Sequence, residues 1–434
     1  VTVDSNAHGA LFINYTGVFK SNIGGLMQGG NFKDVAMESG NPRWENCILR
    51  EVPLYVRADD IRTDFARDYN RILHSTAYRR LKHKTQVFFA TTNDHICTRI
   101  EHVNHVASIS HTIAKFLGLN PELTSAIAIG HDLGHAPFGH AGEDYIKEIV
   151  AAELGEHFWH EKNSLRFVDH CETLEDPNGR HKNLNLTYAV RDGIISHCGE
   201  VDENAIFPRE QSIDLATIAK PNEYMPYTWE GCVVKISDKI AYLGRDIEDA
   251  LTLKILTRAQ LKELSSIVKE HGKYKVREIN NTLVIHELII DICKNSNPQT
   301  GIVLSDESLR VMNSLKEFNY KNIYLHARLD VYREYARLII RSLFSILKRL
   351  YEKEATLEVL RKYIDTYPVL ITAYYEWLLK YGTPNERNSI HNKYENKILY
   401  DLKKEKDYLR AVIDFISGMT DLFAIKVFTE ITRF

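Results

Sequence analysis

Eighteen residues from Ala126 to Glu143, AIAIGHDLGHAPFGHAGE, hold three histidines, one aspartate and one glutamate between an apolar run and a Gly/Pro-rich turn. Imidazole beside carboxylate is a ligand set for a borderline or hard divalent metal, and it is also the kit of general acid–base chemistry. His131 and Asp132 read as metal ligands, and His135, His140 and Glu143 as the acid–base or substrate-facing set. The stretch LTSAIAIGHDLGH is apolar almost all round, so its helix belongs in the core. A buried His–Asp pair there needs a partner or a metal.

Two other stretches can complete the ligand set. In RIEHVNHVASISHTIAKFLG, residues 99–118, His102 shares a stripe with Val106, Ile109, Ile113 and Phe116. A lone histidine on such a stripe is usually a satisfied core residue. The His–Asp pair elsewhere raises its weight above that of His105 and His111. In GCVVKISDKIAYLGRDIEDALTL, Ile236, Ile240, Leu243 and Ile247 make one face, with Asp238, Tyr242, Arg245, Asp246 and Asp249 on the other. The bland reading solvates that acidic face. The sharper one turns Asp238 inward as a metal oxygen. His102, His131, Asp132 and Asp238 make a mixed N/O site for one divalent ion (Mn, Fe, Zn, Co or Ni, with Mg less comfortable beside nitrogen). A position left open to water or a phosphate oxygen would let the ion polarise a phosphoryl group.

The elements that must carry these residues are helices. Residues 57–89 predict one or two helices with a cationic face. Asn120-Pro121-Glu122 starts the next, and Gly134 is expected to end it. Gly142-Glu143 opens another, and His160-Glu161 one more. Residues 174–186 read as a loop or hairpin, 187–198 as helix, 199–228 as irregular. From Thr257 to Phe434 helix dominates, broken at Gly382-Thr383-Pro384-Asn385. No fixed repeat, P-loop, Rossmann fingerprint or βαβ pattern occurs. The expectation is an all-α protein with an irregular N-terminal extension (1–56), a metal-dependent core (57–255) and a helical C-terminal region (256–434).

Composition bounds the rest. With 434 residues, 44% of them apolar, a large core is available, and a net charge of -3 gives no global field for nucleic acid. The exception is local: residues 57–84 carry eight Lys/Arg against four Asp. The ordinary reading is a solvated helix face with pairs one turn apart. The alternative is a phosphate clamp, because Arg forks grip phosphate oxygens. Six scattered cysteines without CxxC spacing argue for reduced thiols rather than a zinc ribbon or disulfide framework. The absence of a long apolar run or a leader-like start makes a cytoplasmic protein with no membrane partner the expectation.

RTDFARDYNRILHSTAYRRLKHKTQVF, TRIEH, GHDLGHAPFGHAGE and KISDKIAYLGRDIEDA together resemble the HD-domain deoxynucleoside triphosphate triphosphohydrolases, the dGTPase-like family. The resemblance runs from about Arg62 to Ala250. It implies an all-α HD fold and hydrolysis of a dNTP, dGTP or a broader set, to deoxynucleoside and inorganic triphosphate with one divalent ion (Mn, Mg, Fe, Ni or Zn). It implies the four ligands above, and His135, His140, Glu143 and His160 as catalytic-site residues. Arg99, Lys239 and Tyr242 resemble phosphate and sugar contacts, Asp246 the reader of the 3′-hydroxyl, and Gln86 a neighbour of the deoxyribose. Tyr242 against C2′ would reject ribonucleotides. By family analogy a homo-oligomer, hexamer or tetramer, and a dNTP activator at a second site are expected. Leu343, Phe344 and Leu347 are candidate interface residues. The competing readings are an HD phosphohydrolase of another nucleotide, and a non-catalytic nucleotide- or single-strand nucleic-acid-binding protein.

Overall fold

The computed structural model describes residues 29–54, 59–89, 93–198, 204–271, 281–384, 387 and 393–433. Most of the expected irregular extension, and Arg57 of the basic stretch, lie outside these residues. Within them the chain is helical with one small hairpin, as an all-α reading requires. The order is α1 (Trp44–Cys47), α2 (Asp64–His74), α3 (Thr76–Arg80), α4 (Arg99–Leu117), α5 (Pro121–Gly130), α6 (Gly139–Leu154) and α7 (His160–Arg166). The hairpin β1 (Thr173–Glu175) and β2 (His181–Asn183) follows, antiparallel, with Leu174 opposite Lys182. Then come α8 (Tyr188–Ser196), α9 (Trp229–Thr252), α10 (Arg258–His271), α11 (Asn281–Asn295), α12 (Asp306–Asn319) and α13 (Ala327–Arg349). The chain closes with α14 (Thr356–Tyr363), α15 (Pro368–Tyr381), α16 (Glu405–Ser417) and α17 (Asp421–Thr432).

Two apolar cores organise these helices. The first gathers the buried faces of α2, α4, α5, α8 and α9, with Leu288 and Ile292 of α11 and Met312, Leu315 and Phe318 of α12 joining it. Phe32, Met37 and Cys47 of the N-terminal segment are buried there too, so its described part packs on the core. Backbone bonds fix it, Phe32 N donating to Leu117 O at 2.9 Å. Met37 N and Asn120 N both donate to Glu230 Oε1 in the first turn of α9, at 2.8 and 3.0 Å.

The second core packs α6 against α13, α15, α16 and α17. Leu343, Phe344 and Leu347 lie inside it, exposed by 0%, 6% and 0%. Their expected place at a subunit interface is therefore corrected. Their stripe is apolar because it meets α6, α16 and α17 of the same chain. α11 and α12 serve the first core and α6 the second. Among the described residues no helix is long and apolar enough to cross a membrane.

Candidate active site

α4 opens with a capping box in which Glu101 accepts from Thr98 N at 2.7 Å. That start sets the register by which Arg99 and His102, three residues apart, share the buried face. α5 begins at Pro121 behind the Asn120 cap and ends at Gly130, so His131 is its C-cap and residues 131–134 form a turn. The helix is a turn shorter than the sequence suggests. Gly134 lies against α7, where a Cβ would sit 2.1 Å from Ser164 N, and its own N–H donates to Ser164 Oγ at 2.9 Å. α6 likewise opens at Gly139 rather than Gly142, after Phe138 takes a left-handed φ of 69°.

His131 is the informative atom-by-atom case. Its Nδ1 lies 2.6 Å from Ala128 O. A carbonyl only accepts, so Nδ1 carries the proton and Nε2 carries a lone pair. That Nε2 is buried with no hydrogen-bond partner. It faces Asp132 Oδ1 at 3.4 Å and Asp238 Oδ1 at 3.7 Å. His102 Nε2 approaches Asp238 Oδ1 at 2.9 Å and Asp132 Oδ2 at 3.8 Å. Burial pushes Asp132 up, but His131, His135 and Arg99 outweigh it and hold the carboxyl well below its usual range. Burial likewise opposes charge on Asp238, yet the His102 hydrogen bond and His131 bring it to about 2. Two carboxylates and a lone pair thus converge in a largely buried pocket, which is the donor arrangement a divalent cation relieves. The donor atoms of His102, His131 and Asp132 lie within 4.8 Å of one another, as do those of His131, Asp238 and His197.

His197 is the member the sequence reading passed over. It caps α8 as His131 caps α5, with Nδ1 2.7 Å from Ile194 O, three residues back, and its ring centroid 4.7 Å from that of His131. An apolar helix ending in histidine is the shared signal. Burial above all holds His197 neutral, at about 3.

The acid–base set gathers beside this cluster. His135 Nε2 is 3.1 Å from Asp132 Oδ1, and its ring stacks on His160 with centroids 3.9 Å apart. His160 Nδ1 lies 3.3 Å from Glu143 and 3.5 Å from Glu161. Burial opposes charge on His160, but Glu161 and Glu143 outweigh it and raise it to about 10. His140, whose side chain is 65% exposed, sits 3.9 Å from Glu143. The imidazole nearest Glu143 is therefore His160, with His135 at 3.8 Å and His140 further out. His140, Glu143, His160 and Glu161 line a cavity of about 360 Å³ with Lys147 and Lys220 on its wall.

Arg99 is buried. Nη1 binds Asp132 Oδ2 at 2.7 Å and Nε binds Thr85 O at 3.1 Å, which leaves Nη2 buried without a partner. Lys239 and Asp246 are buried on α9, and Tyr242 is partly buried. Asp246 is bound by the hydroxyl of Tyr324, and burial lifts its carboxyl to about 6. Tyr324 ends a π-turn (Tyr320–Tyr324) that continues α12. Gln86 lines a second pocket of about 80 Å³ with Tyr324, Tyr332, Arg333 and His140, so His140 stands between the two cavities.

The C-terminal helices hold the loop that carries the histidines. Asp421, at the start of α17, accepts from Phe138 N at 2.8 Å and Thr85 N at 2.9 Å. Lys84 Nζ binds the carbonyl of His135 and, at 3.2 Å, that of Ser417. Asn163 joins Gly134 O at 2.6 Å to Ser417 Oγ at 3.4 Å.

The HD domain family matches residues 99–243, which include Arg99 and all four candidate ligands. The phosphohydrolase-associated domain family matches residues 370–430, which include Ser417 and Asp421. The chain is 34% identical over 374 residues to the deoxyguanosinetriphosphate triphosphohydrolase-like protein of Caldanaerobacter subterraneus subsp. tengcongensis, covering 86% of each chain. The chain belongs to the dGTPase-like HD phosphohydrolases. Relatives with the same description occur in Pelagibacter ubique, 35% identical over 84% of this chain and 92% of the relative, and in Bartonella quintana, 30% identical over 92% and 96%. The buried His/Asp cluster of this HD phosphohydrolase is thus of the kind that holds a metal ion.

Proposed function

We propose that this centre hydrolyses a deoxynucleoside triphosphate, dGTP foremost, to deoxynucleoside and inorganic triphosphate. The carrying observation is the unpartnered Nε2 of His131 between two anionic carboxylates, next to a protonated His160 that opens on a cavity. His102, His131, Asp132 and Asp238 would hold one divalent ion, which supplies Lewis acidity to a phosphoryl oxygen and lowers the pKa of water.

The remaining steps belong to the chain. Arg99 presents its free Nη2 to a phosphate oxygen while Asp132 fixes the other end of its fork. Lys239 adds a second positive charge from α9. Asp246, braced by Tyr324, reads the 3′-hydroxyl, and Tyr242 packs against C2′. His160, held charged by Glu143 and Glu161, donates a proton to the departing O5′. His135 orients the α-phosphate beside it, and His140 and Gln86 border the sugar.

The test incubates the protein with Mn²⁺ and each dNTP and follows the products by ³¹P NMR. Inorganic triphosphate with free deoxynucleoside is the expected result. Pyrophosphate or orthophosphate would move the chain to another phosphohydrolase reaction. Absence of turnover with every divalent ion, with oligonucleotide binding retained, would make it a binding protein.

A further inference from the structure

Lys84 is a buried titratable group that takes no part in the reaction steps given above. Among the described residues it forms no ion pair. Its Nζ donates instead to two carbonyls, that of His135 and, at 3.2 Å, that of Ser417. Burial lowers the amine to about 7, Arg80 adding to that while Asp421 and Glu172 oppose it. A methionine would fill the same space with no polar group to desolvate. What the lysine adds is a tie between two distant stretches of backbone.

Both carbonyls lie where the backbone leaves a regular ladder. Ser417 ends α16, and the last carbonyls of a helix have no partner within it. His135 follows the turn at 131–134. From there to α6 the loop is held at three points. Gly134 bonds Ser164 and Asn163 of α7, Phe138 N bonds Asp421, and Lys84 takes the carbonyl of His135 between them. Of the three, Lys84 acts on the residue whose ring faces the acid–base set. His135 Nε2 is 3.1 Å from Asp132 Oδ1, and its ring plane lies within 18° of that of His160. Its Nδ1 is buried with no hydrogen-bond partner. The ring therefore depends on its own backbone for position. Holding the peptide oxygen fixes the peptide plane, and with it the direction in which Cβ leaves the chain.

The backbone of the same segment serves Arg99. Lys84 O accepts from Arg99 N at 3.1 Å, and Thr85 O accepts from Arg99 Nε at 3.1 Å. A change confined to the Lys84 side chain spares both bonds.

We propose, resting on the dNTP hydrolysis inferred above, that Lys84 is a positioning residue: by tying the histidine-bearing loop to the end of α16 it registers His135 against His160 and Asp132. One short segment then has two duties. Its backbone sets the phosphate-facing arginine, and the Lys84 side chain sets the imidazole.

Lys84→Met is compared with the parent and with His135→Gln in Mn²⁺-loaded, full-length protein. Its kcat for dGTP is expected to fall about ten- to a hundredfold, with KM and metal content within about twofold of the parent. The double variant is expected to match His135→Gln alone, because a residue that acts through His135 has nothing left to act on. Lys84→Gln, which retains an amide donor, is expected to lie between, and it carries the same readings if the methionine variant does not fold. Hydrogen exchange followed by mass spectrometry reads the tie without turnover: residues 133–142 should exchange faster in Lys84→Met while α4 keeps the parent rate. A parent that releases no triphosphate thus fails the functional reading and leaves exchange to decide the tie. Unchanged kcat with unchanged exchange overturns the proposal. So does a double variant in which the two losses multiply, or faster exchange spread over the whole chain, either of which makes Lys84 a support for the fold alone.

Discussion

The two cores of this molecule meet at residues 131–143 and handle polar groups in opposite ways. The first buries its polar side chains against one another: His131 faces two carboxylates with a free lone pair, and Arg99 keeps one nitrogen unpartnered. The second buries leucines, isoleucines and tyrosines, and at its edge Asp421 accepts from Phe138 N in the histidine-bearing loop while the Ser417 carbonyl holds Lys84, which also binds His135 O. One core leaves bonding capacity open for a ligand, and the other removes freedom from the loop that presents it. The His/Asp cluster lies in the family region 99–243, and Ser417 and Asp421 lie in the family region 370–430.

The largest effect should come from the open side. His160→Gln keeps the donor cluster but removes the proposed proton donor, and kcat should fall by about 10²–10⁴-fold with metal content unchanged. Metal loss in that variant would place His160 among the ligands. On the satisfying side, Asp421→Ala strips acceptors from two buried N–H groups, at about 1–3 kcal/mol each. Phe138, in its left-handed conformation, then loses a restraint. Turnover should drop by about 10²-fold through a displaced loop, with Asp421→Asn intermediate and metal content constant. Equal kcat in both variants would break the division of labour.

Leu343→Ala tests the second core alone. It should cost about 2–5 kcal/mol in denaturant unfolding, and the folded fraction should retain full activity per molecule. A change of oligomeric state without loss of stability would return that stripe to an interface.

The smallest effect concerns Glu230. Burial raises its carboxyl to about 7, although it accepts from Met37 and Asn120. A carboxyl bound more tightly to its proton in the folded state favours folding at low pH. That contribution is whole below the unfolded value of 4.5 and is lost as pH rises through about 7. Glu230→Gln should therefore match the parent near pH 5 and exceed it in Tm by a few degrees at pH 8. A Tm difference independent of pH would contradict the assignment.

The sequence made the candidate ligands legible because their demand is local. A His–Asp pair at the end of an apolar helix must be compensated wherever it lies, and the flanking motif named the family. His197 escaped because a single histidine at a helix end is ambiguous until His131 is seen 4.7 Å away. Tyr324 and Asp421 escaped for a related reason: each meets its partner across 78 or 283 residues of chain, and no periodicity encodes such a meeting. The apolar stripe of α13 announced burial correctly, but a stripe does not say whether its cover is the same chain or another. Pairs one turn apart were the ordinary reading of the basic stretch, yet Arg50, fourteen residues before Asp64, takes both acids of α2.

The central claim is one cation held by His102, His131, Asp132 and Asp238. Its most direct test is the metal content of Mn²⁺-loaded, desalted protein measured by mass spectrometry, for the parent and for His131→Ala and Asp132→Ala with folding checked by circular dichroism. About one ion per chain in the parent, and loss of nearly all of it in both variants, is the result expected for a mixed imidazole–carboxylate site. Folded variants that still carry one ion per chain would contradict the account.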